Sequence, residues 1–153
     1  MAASHRTPVI VVLSLLAASS LACAGASPQP AVLQAGDACA FCRMMVSDPR
    51  FAAQVVAPGE EPLFFDDIGC LANRLRNVQR AAEAVVYVAD HRTREWIPAS
   101  EAVYTRVDAL ATPMGSHLIA HADRASRDQD PDTRGGVPVA ASEIFGDAVR
   151  ERR

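Results

Sequence analysis

The sequence predicts a single small α+β domain. Two observations support this class: short β-prone apolar runs alternate with a segment of helical periodicity, and 50% of the residues are hydrophobic, which is enough for one compact core at this length. The part of the chain from about Asp37 onwards has the size of one small domain. The net charge of −3 and the lack of a basic stripe argue against nucleic acid as a partner.

The first half of this domain predicts the order β-β-α-β. The runs "FAAQVVA" (51–57) and "LFFDD" (63–67) flank the turn "PGEEP", which indicates a hairpin. Asp66 or Asp67 then caps a helix. The helix is indicated by five apolar residues at helical spacing: Ile68, Leu71, Leu75, Val78 and Ala82. The run "EAVVYVAD" (83–90) returns as a strand of the buried type.

The second half predicts another set of short elements. Residues 100–104 indicate a brief helix, and "SHLIAHA" (116–122) alternates like a strand. The polar, turn-rich residues 123–136 are expected to form a mobile loop. Residues 137–153 then close the domain with a strand and a helix whose apolar side chains pack inwards. The two halves therefore suggest variations on one small α+β unit.

The N-terminus, residues 1–23, predicts an export signal. A weakly basic start precedes the apolar run "VIVVLSLLAASSLA" (9–22), which is short for a spanning helix of about 20 apolar residues. Cys23 follows small residues, as in a bacterial lipoprotein signal, so we expect lipid on Cys23 and a flexible tether over residues 24–37. Ordinary cleavage at an A-x-A pattern would instead leave a soluble periplasmic protein.

The segment "CAFCRMM" (39–45) holds a C-x-x-C pair, which suits structural zinc, a redox disulfide or a soft metal ion. Zinc would need Cys70 and a distant histidine to complete four donors. A thioredoxin-type pair should open a helix, whereas Asp48-Pro49 interrupts one soon after the pair. A plain disulfide within so tight a loop would be strained. A soft metal ion is therefore the favoured use.

The methionines of this segment favour Cu(I) as that ion. Thioether sulfur is a soft, neutral donor, and mixed cysteine and methionine ligation selects Cu(I). Met44 lies two residues beyond Cys42, so both sulfur atoms can face one ion, while Met45 suits a gap in the core. Cys70 is expected near a helix N-terminus, where the dipole would lower its pKa. Cys70 remains open between an auxiliary ligand and an inert thiol.

Four segments, in this order along the chain, resemble the NosL family: "CAFCRMMVSDPRFAAQVV", "FFDDIGC", "VYVADHRTREWIPASEAVY" and "TPMGSHLIA". The members are periplasmic, usually membrane-anchored Cu(I)-binding accessory proteins for maturation of the copper sites of nitrous oxide reductase. The resemblance extends from about residue 36 to 122 and, more faintly, to the C-terminus. It implies a fold of two ββαβ-type modules and a copper-binding domain over residues 38–122. One departure is Arg43, where the family frequently has glycine.

The resemblance also implies a ligand set. The family pattern C-x-x-C-x-M is met by Cys39, Cys42 and Met44, and the P-M-G motif contains Met114. His117 stands where the family often has a small residue, and it would add a nitrogen donor near Met114. These five residues are the expected Cu(I) ligands.

The expected function is that of an exported, membrane-anchored copper chaperone. It would deliver Cu(I) to an apo-metalloenzyme, with nitrous oxide reductase and its maturation proteins as partners. No base, nucleophile or oxyanion arrangement stands out, so we do not expect an enzyme. Two rivals remain: a thiol–disulfide protein that keeps copper-site cysteines reduced, and a zinc-stabilised interaction module. His91 is expected to be solvated in a turn, and His121 to share a strand face with His117.

Overall fold

The computed structural model describes residues 27–149, so the predicted signal and Cys23 lie outside the described residues. The helices and strands are, in chain order, β1 Ala53–Val56, β2 Leu63–Phe65, α1 Ile68–Asn77, β3 Val85–Ala89, β4 Trp96–Pro98, β5 Val103–Arg106, β6 Leu118–His121, α2 Arg124–Gln129, β7 Val137–Val139 and α3 Ala141–Phe145. Short 3-10 turns occupy Pro49–Phe51, Pro131–Thr133 and Gly146–Val149. The predicted α+β class is confirmed. Within residues 27–149, no helix is long and apolar enough to cross a membrane.

The strands form two antiparallel sheets with equivalent topology. The first sheet has the order β2-β1-β3-β4 and the second has the order β6-β5-β7. In each unit the first strand is central. The second strand pairs with one edge of this first strand, and the strand after the helix pairs with its other edge. The chain therefore contains two units of ββαβ order, and β4 extends the first sheet.

The two units share one core. Apolar side chains from both sheets and from helices α1 and α3 pack in a single cluster, which includes Phe65, Leu71, Val88, Tyr104 and Phe145. The rings of Tyr104 and Phe145 meet edge to face with centroids 5.6 Å apart. Because the units bury apolar area against each other, we treat them as one domain.

Helix α1 begins where the sequence predicts it. Asp67 is the N-cap, with an extended backbone (φ −156°) and a side chain that accepts from the N–H of Gly69. The helix ends at Asn77, earlier than the apolar spacing suggested, and Val78 is already extended at the C-cap. This short helix lies between the two sheets and carries Cys70 in its first turn.

Two segments differ from the expected local structure. The brief helix over residues 100–104 is wrong: strand β5 begins at Val103, because Tyr104 is buried and donates its hydroxyl to the carbonyl of Ala99 at 2.7 Å. Residues 123–136, expected as a mobile loop, contain helix α2 and a 3-10 turn instead. Aspartates cap both: Asp123 accepts from the N–H of Ser126 and Asp130 from that of Asp132.

The expected tether also has an ordered part. The amide of Ala31 donates to the Gln54 side chain on β1 at 2.8 Å, and the Gln54 amide donates back to the Ala31 carbonyl at 3.2 Å. The hydroxyl of Tyr87 on β3 donates to the carbonyl of Pro28 at 2.6 Å. Residues 28–31 therefore lie along the first sheet, and the folded domain begins before Asp37.

Candidate metal centre

Three cysteine side chains meet at one edge of the first unit. Cys39 and Cys42 lie in the loop before β1, Cys70 lies on α1, and their Sγ atoms are all within 4.8 Å of one another. All three are free thiols. Cys39 and Cys70 are buried, whereas Cys42 is half-buried. The group can therefore hold a metal ion and is reached from the side of Cys42.

Backbone hydrogen bonds set the shape of the C-x-x-C turn. The N–H of Cys39 donates to the carbonyl of Met44 at 2.7 Å, and the N–H of Arg43 donates to the carbonyl of Cys39 at 2.9 Å. Arg43 has φ +69°, a left-handed conformation that glycine adopts without strain. The N–H of Ala40 donates to the carbonyl of Phe64 at 2.8 Å, which fastens the turn to strand β2. The two thiols are thus held at fixed positions by the backbone.

Two consecutive buried aspartates fasten the surrounding loops to the start of helix α1. Oδ1 of Asp66 accepts from the N–H of Ser47 at 2.7 Å and from its hydroxyl at 3.0 Å. Oδ2 of Asp67 accepts from the hydroxyl of Thr112 at 2.7 Å and from the N–H of Met114 at 3.1 Å. A cap by Asp66 or Asp67 was predicted, and Asp67 is the residue that caps the helix. The connection to the distant P-M-G turn was not predicted, because sequence spacing gives no sign of it.

The P-M-G turn packs directly on the first turn of α1. A Cβ on Gly69 would lie 2.8 Å from the Cβ of Ser116, so only glycine permits this close approach. Gly115 has φ +69°, which shapes the turn that presents Met114. The structure therefore places Met114 on a segment fixed to the same helix that carries Cys70.

The predicted thioether ligands are solvent-accessible. Met44 is 57% exposed and Met114 is 43% exposed, and Phe41 between the two loop cysteines is also exposed. Met45, expected to fill a gap in the core, is 68% exposed, so that expectation is wrong. The segment 39–45 thus carries three exposed apolar side chains, Phe41, Met44 and Met45.

His117 has one ring nitrogen engaged elsewhere. Its Nδ1 donates to the carbonyl of Leu110 at 2.8 Å, which leaves Nε2 as the atom able to bind an ion. The residue precedes β6 with φ +58°, so it is not part of the strand. The expectation that His121 shares a strand face with His117 is therefore wrong. His121 is instead buried, with its ring next to that of His91. The expectation that His91 is solvated is also wrong, because His91 is buried.

The three thiols differ in how readily they ionise. Burial disfavours the charged form of Cys39, but backbone N–H groups outweigh it and hold the pKa of Cys39 below its usual value. They belong to Asp66, Cys42 and Phe41. Burial raises the pKa of Cys42 and, followed by the charge of Cys39, strongly raises the pKa of Cys70. The expected lowering of the Cys70 pKa is therefore wrong, because burial and the charge of Cys39 raise it instead.

These ionisation properties have a consequence for metal binding. A cation that binds all three sulfur atoms must displace the protons of Cys42 and Cys70, whose pKa values are raised. Metal affinity therefore rises with pH, and binding releases protons. Cys39, whose pKa is lowered, is the thiol that offers a thiolate first.

Comparison with known proteins places the chain in one family. A family model described as NosL matches residues 30–149, which include the three thiols together with Met44, Met114 and His117. Searches of curated proteins and of solved structures find no significant match. This is a copper-binding accessory family, typically extracellular or periplasmic, and it is not a known enzyme family. The match covers well over half of the chain, and the protein therefore belongs to the NosL family.

Proposed function

We propose that this protein binds Cu(I) at the thiols of Cys39, Cys42 and Cys70 and delivers it to an apo-metalloenzyme. The observation that carries the proposal is the convergence of three free Sγ atoms within 4.8 Å. Three thiolates around one ion at about 2.3 Å each would be roughly 4.0 Å apart, so little movement is needed. Thiolate sulfur is the donor that selects Cu(I) over harder ions.

The exposed methionines suit a role in transfer. Met44 and Met114 carry neutral, soft donors on exposed side chains. Met44 lies two residues beyond Cys42 in the chain, and Met114 lies in the turn that Asp67 fastens to the start of helix α1, which carries Cys70. A thioether that replaces one thiolate weakens the hold on Cu(I) without exposing the ion to hard donors. His117 contributes through Nε2 in the same exchange. We therefore assign the thiols to storage of the ion and the methionines to its release.

We infer that nitrous oxide reductase is the client. The inference rests on family membership, and the exposed apolar side chains Phe41, Met44, Met45 and Met114 offer a surface for a partner. Incubation of the copper-loaded protein with apo-nitrous oxide reductase should transfer copper to the enzyme. An enzyme that gains no copper under these conditions would rule out this client while leaving Cu(I) binding intact.

The reduced protein should bind one Cu(I) far more tightly than Zn(II), because its converging donors are sulfur atoms and, within residues 27–149, no histidine or carboxylate joins the three thiols to complete a tetrahedral zinc site. The measurement is an anaerobic competition titration against a Cu(I)-specific chelator, with and without zinc. Displacement of copper by an equal concentration of zinc would contradict the chaperone function and favour the zinc-stabilised module.

Cu(I) should raise the melting temperature of the wild-type protein more than that of Met114→Leu. The substitution conserves volume and apolarity, so the apo-protein should lose less than about 1.5 kcal/mol. Loss of the thioether should nevertheless weaken Cu(I) binding, and stabilisation by a ligand follows its affinity. Equal shifts in melting temperature with one equivalent of Cu(I) would show that Met114 is not a ligand.

We also propose that lipid on Cys23 anchors the protein to a membrane. Pro28 already contacts the first sheet, so the five residue steps from Cys23 span at most about 18 Å. The domain would be held close to the membrane surface. A Cys23→Ala strain should release the protein to the soluble periplasm, and multiple acyl chains explain firm anchoring in the wild type. An unchanged distribution on fractionation would contradict lipidation.

A further inference from the structure

A second cluster of metal-binding side chains lies apart from the three thiols in the sequence. His91 follows β3, His121 ends β6, and Asp130 follows α2. Nδ1 of His91 is 2.7 Å from Oδ2 of Asp130, and Nε2 of His121 is 3.0 Å from the same oxygen. All three residues are buried, at 2%, 0% and 5% exposure. We propose that they form a second metal site, which takes a divalent ion of the zinc class.

The donor set suits such an ion. Two imidazole nitrogens and one carboxylate oxygen are borderline to hard donors, in contrast to the soft thiols of the first site, and they are ligands that zinc commonly takes. The three ligand atoms lie within 4.8 Å of one another. Metal–ligand distances near 2.1 Å in a tetrahedron would separate the ligand atoms by about 3.4 Å, so each nitrogen needs to move away from the Asp130 oxygen by less than an ångström. Water would fill the fourth position.

As a hydrogen-bonded cluster alone, this group is poorly satisfied. One carboxylate oxygen faces two imidazoles, and the remaining nitrogens, Nε2 of His91 and Nδ1 of His121, are buried without a hydrogen-bond partner among residues 27–149. A buried polar atom without a partner destabilises the fold, because it has given up its hydrogen bonds to water and gained none. A bound ion would leave these two nitrogens as N–H groups, but it would take the other two imidazole nitrogens and the Asp130 oxygen that they both face as its ligands.

The surroundings of His91 favour an ion further. With Nδ1 on a metal, Nε2 of His91 must carry the proton, and it then points towards Oδ2 of Asp132 at 3.9 Å. Donation from a ligating histidine to an outer carboxylate is the usual arrangement around protein-bound metals. Asp132 is 40% exposed and marks the side from which an ion enters.

The backbone holds the two histidines in place independently of any ion. The N–H of His91 donates to the carbonyl of Ala120 at 2.8 Å. Oδ2 of Asp90 accepts from the N–H of Ala122 at 2.8 Å and from the hydroxyl of Ser126 at 2.8 Å. The rings of His91 and His121 are inclined at 66°, so they are not stacked and can approach one ion from different directions. An ion here would join β3 of the first unit to β6 and the α2 segment of the second.

The test is a Zn(II) titration of the reduced chain, followed by the imidazole nitrogen resonances and by the melting temperature. Zinc should shift the resonances of His91 Nδ1 and His121 Nε2 in the wild type and in the control Asp108→Asn, which changes an exposed carboxylate outside both clusters. Asp130→Asn, which keeps the volume of the side chain, should weaken zinc binding at these histidines at least tenfold. His121→Gln should abolish it. In both cluster variants, Asp130→Asn and His121→Gln, zinc should raise the melting temperature by less than it does in the wild type.

The readout separates this site from the thiols, because zinc bound at the cysteines leaves the resonances of His91 and His121 unchanged. Unshifted resonances in the folded wild type at saturating zinc would overturn the proposal and leave a plain ion-pair cluster. Shifts that persist unchanged in Asp130→Asn and His121→Gln would overturn it as well. Neither result bears on Cu(I) binding at the thiols, so failure here is distinct from failure of the proposed function.

Discussion

Cys70→Ser is expected to lower the affinity for Cu(I) by at least about 100-fold, or about 2.7 kcal/mol. The substitution replaces one of three converging sulfur donors by a hydroxyl, which is a hard and poorly ionised ligand. The affinity is measured by competition with a Cu(I) chelator under anaerobic conditions. Met45→Leu is the matched control, since Met45 is a sulfur-containing residue that directly follows the site but is 68% exposed. Its affinity should equal that of the wild type.

This substitution also separates the chaperone from its redox rival. A thiol–disulfide protein needs Cys39 and Cys42 but has no use for Cys70. Wild-type Cu(I) affinity in Cys70→Ser would exclude the three-thiol centre. If the Cys39–Cys42 pair of this variant also exchanged with a test disulfide, the result would support the redox function. Because Cys70 is 2% exposed, serine buries a hydroxyl in the core. Cys70→Ala provides a second variant without that cost, and circular dichroism confirms that each folds.

The helix periodicity of α1 explains why Cys70 could not be assigned from the sequence. The apolar stripe of Ile68, Leu71 and Leu75 identifies the face that packs on the core, and Cys70 lies off this stripe. It is nevertheless buried, because the C-x-x-C loop and the P-M-G turn cover the first turn of the helix from another side. The apolar periodicity of a helix indicates only the face that packs on the main core, so it does not predict burial by loops from elsewhere in the chain.

The same limit applies to His91 and to residues 123–136. His91 follows a strand in a polar stretch, which is typical of a solvated turn. The 3-10 turn and α2 of the second unit cover it through Asp130 and Asp132, and nothing local in the sequence announces this long-range contact. By contrast, the hairpin β1–β2, the Asp67 cap and the strand β3 were predictable, because turn residues, caps and apolar runs act over a few residues only.

Asp67→Ala is expected to destabilise the apo-protein by about 3 kcal/mol. Loss of an N-cap costs about 1 kcal/mol. The remainder comes from two donors that lose their acceptor, the hydroxyl of Thr112 and the N–H of Met114. A buried donor without an acceptor costs about 1–3 kcal/mol, and the cost is smaller where water reaches the donor. Urea unfolding measures the free energy. Asp123→Ala is the matched control: Asp123 also caps a helix, but within residues 27–149 its side chain accepts only from the N–H of Ser126 in the same helix. A cost of about 1 kcal/mol is expected there.

The Asp67 substitution should also weaken Cu(I) binding although Asp67 is not a ligand. Its carboxylate is the hydrogen-bonded link between the turn that carries Met114 and the start of the helix that carries Cys70. Without it, the turn is free to move away from the thiols, and Cu(I) must restrict that motion at the expense of affinity. Asp67→Asn keeps an acceptor oxygen for the cap and should lie between alanine and wild type in both stability and affinity. If Asp67→Ala and Asp123→Ala lowered Cu(I) affinity equally, the effect would reflect general destabilisation, and the proposed link between the two halves of the copper site would be wrong.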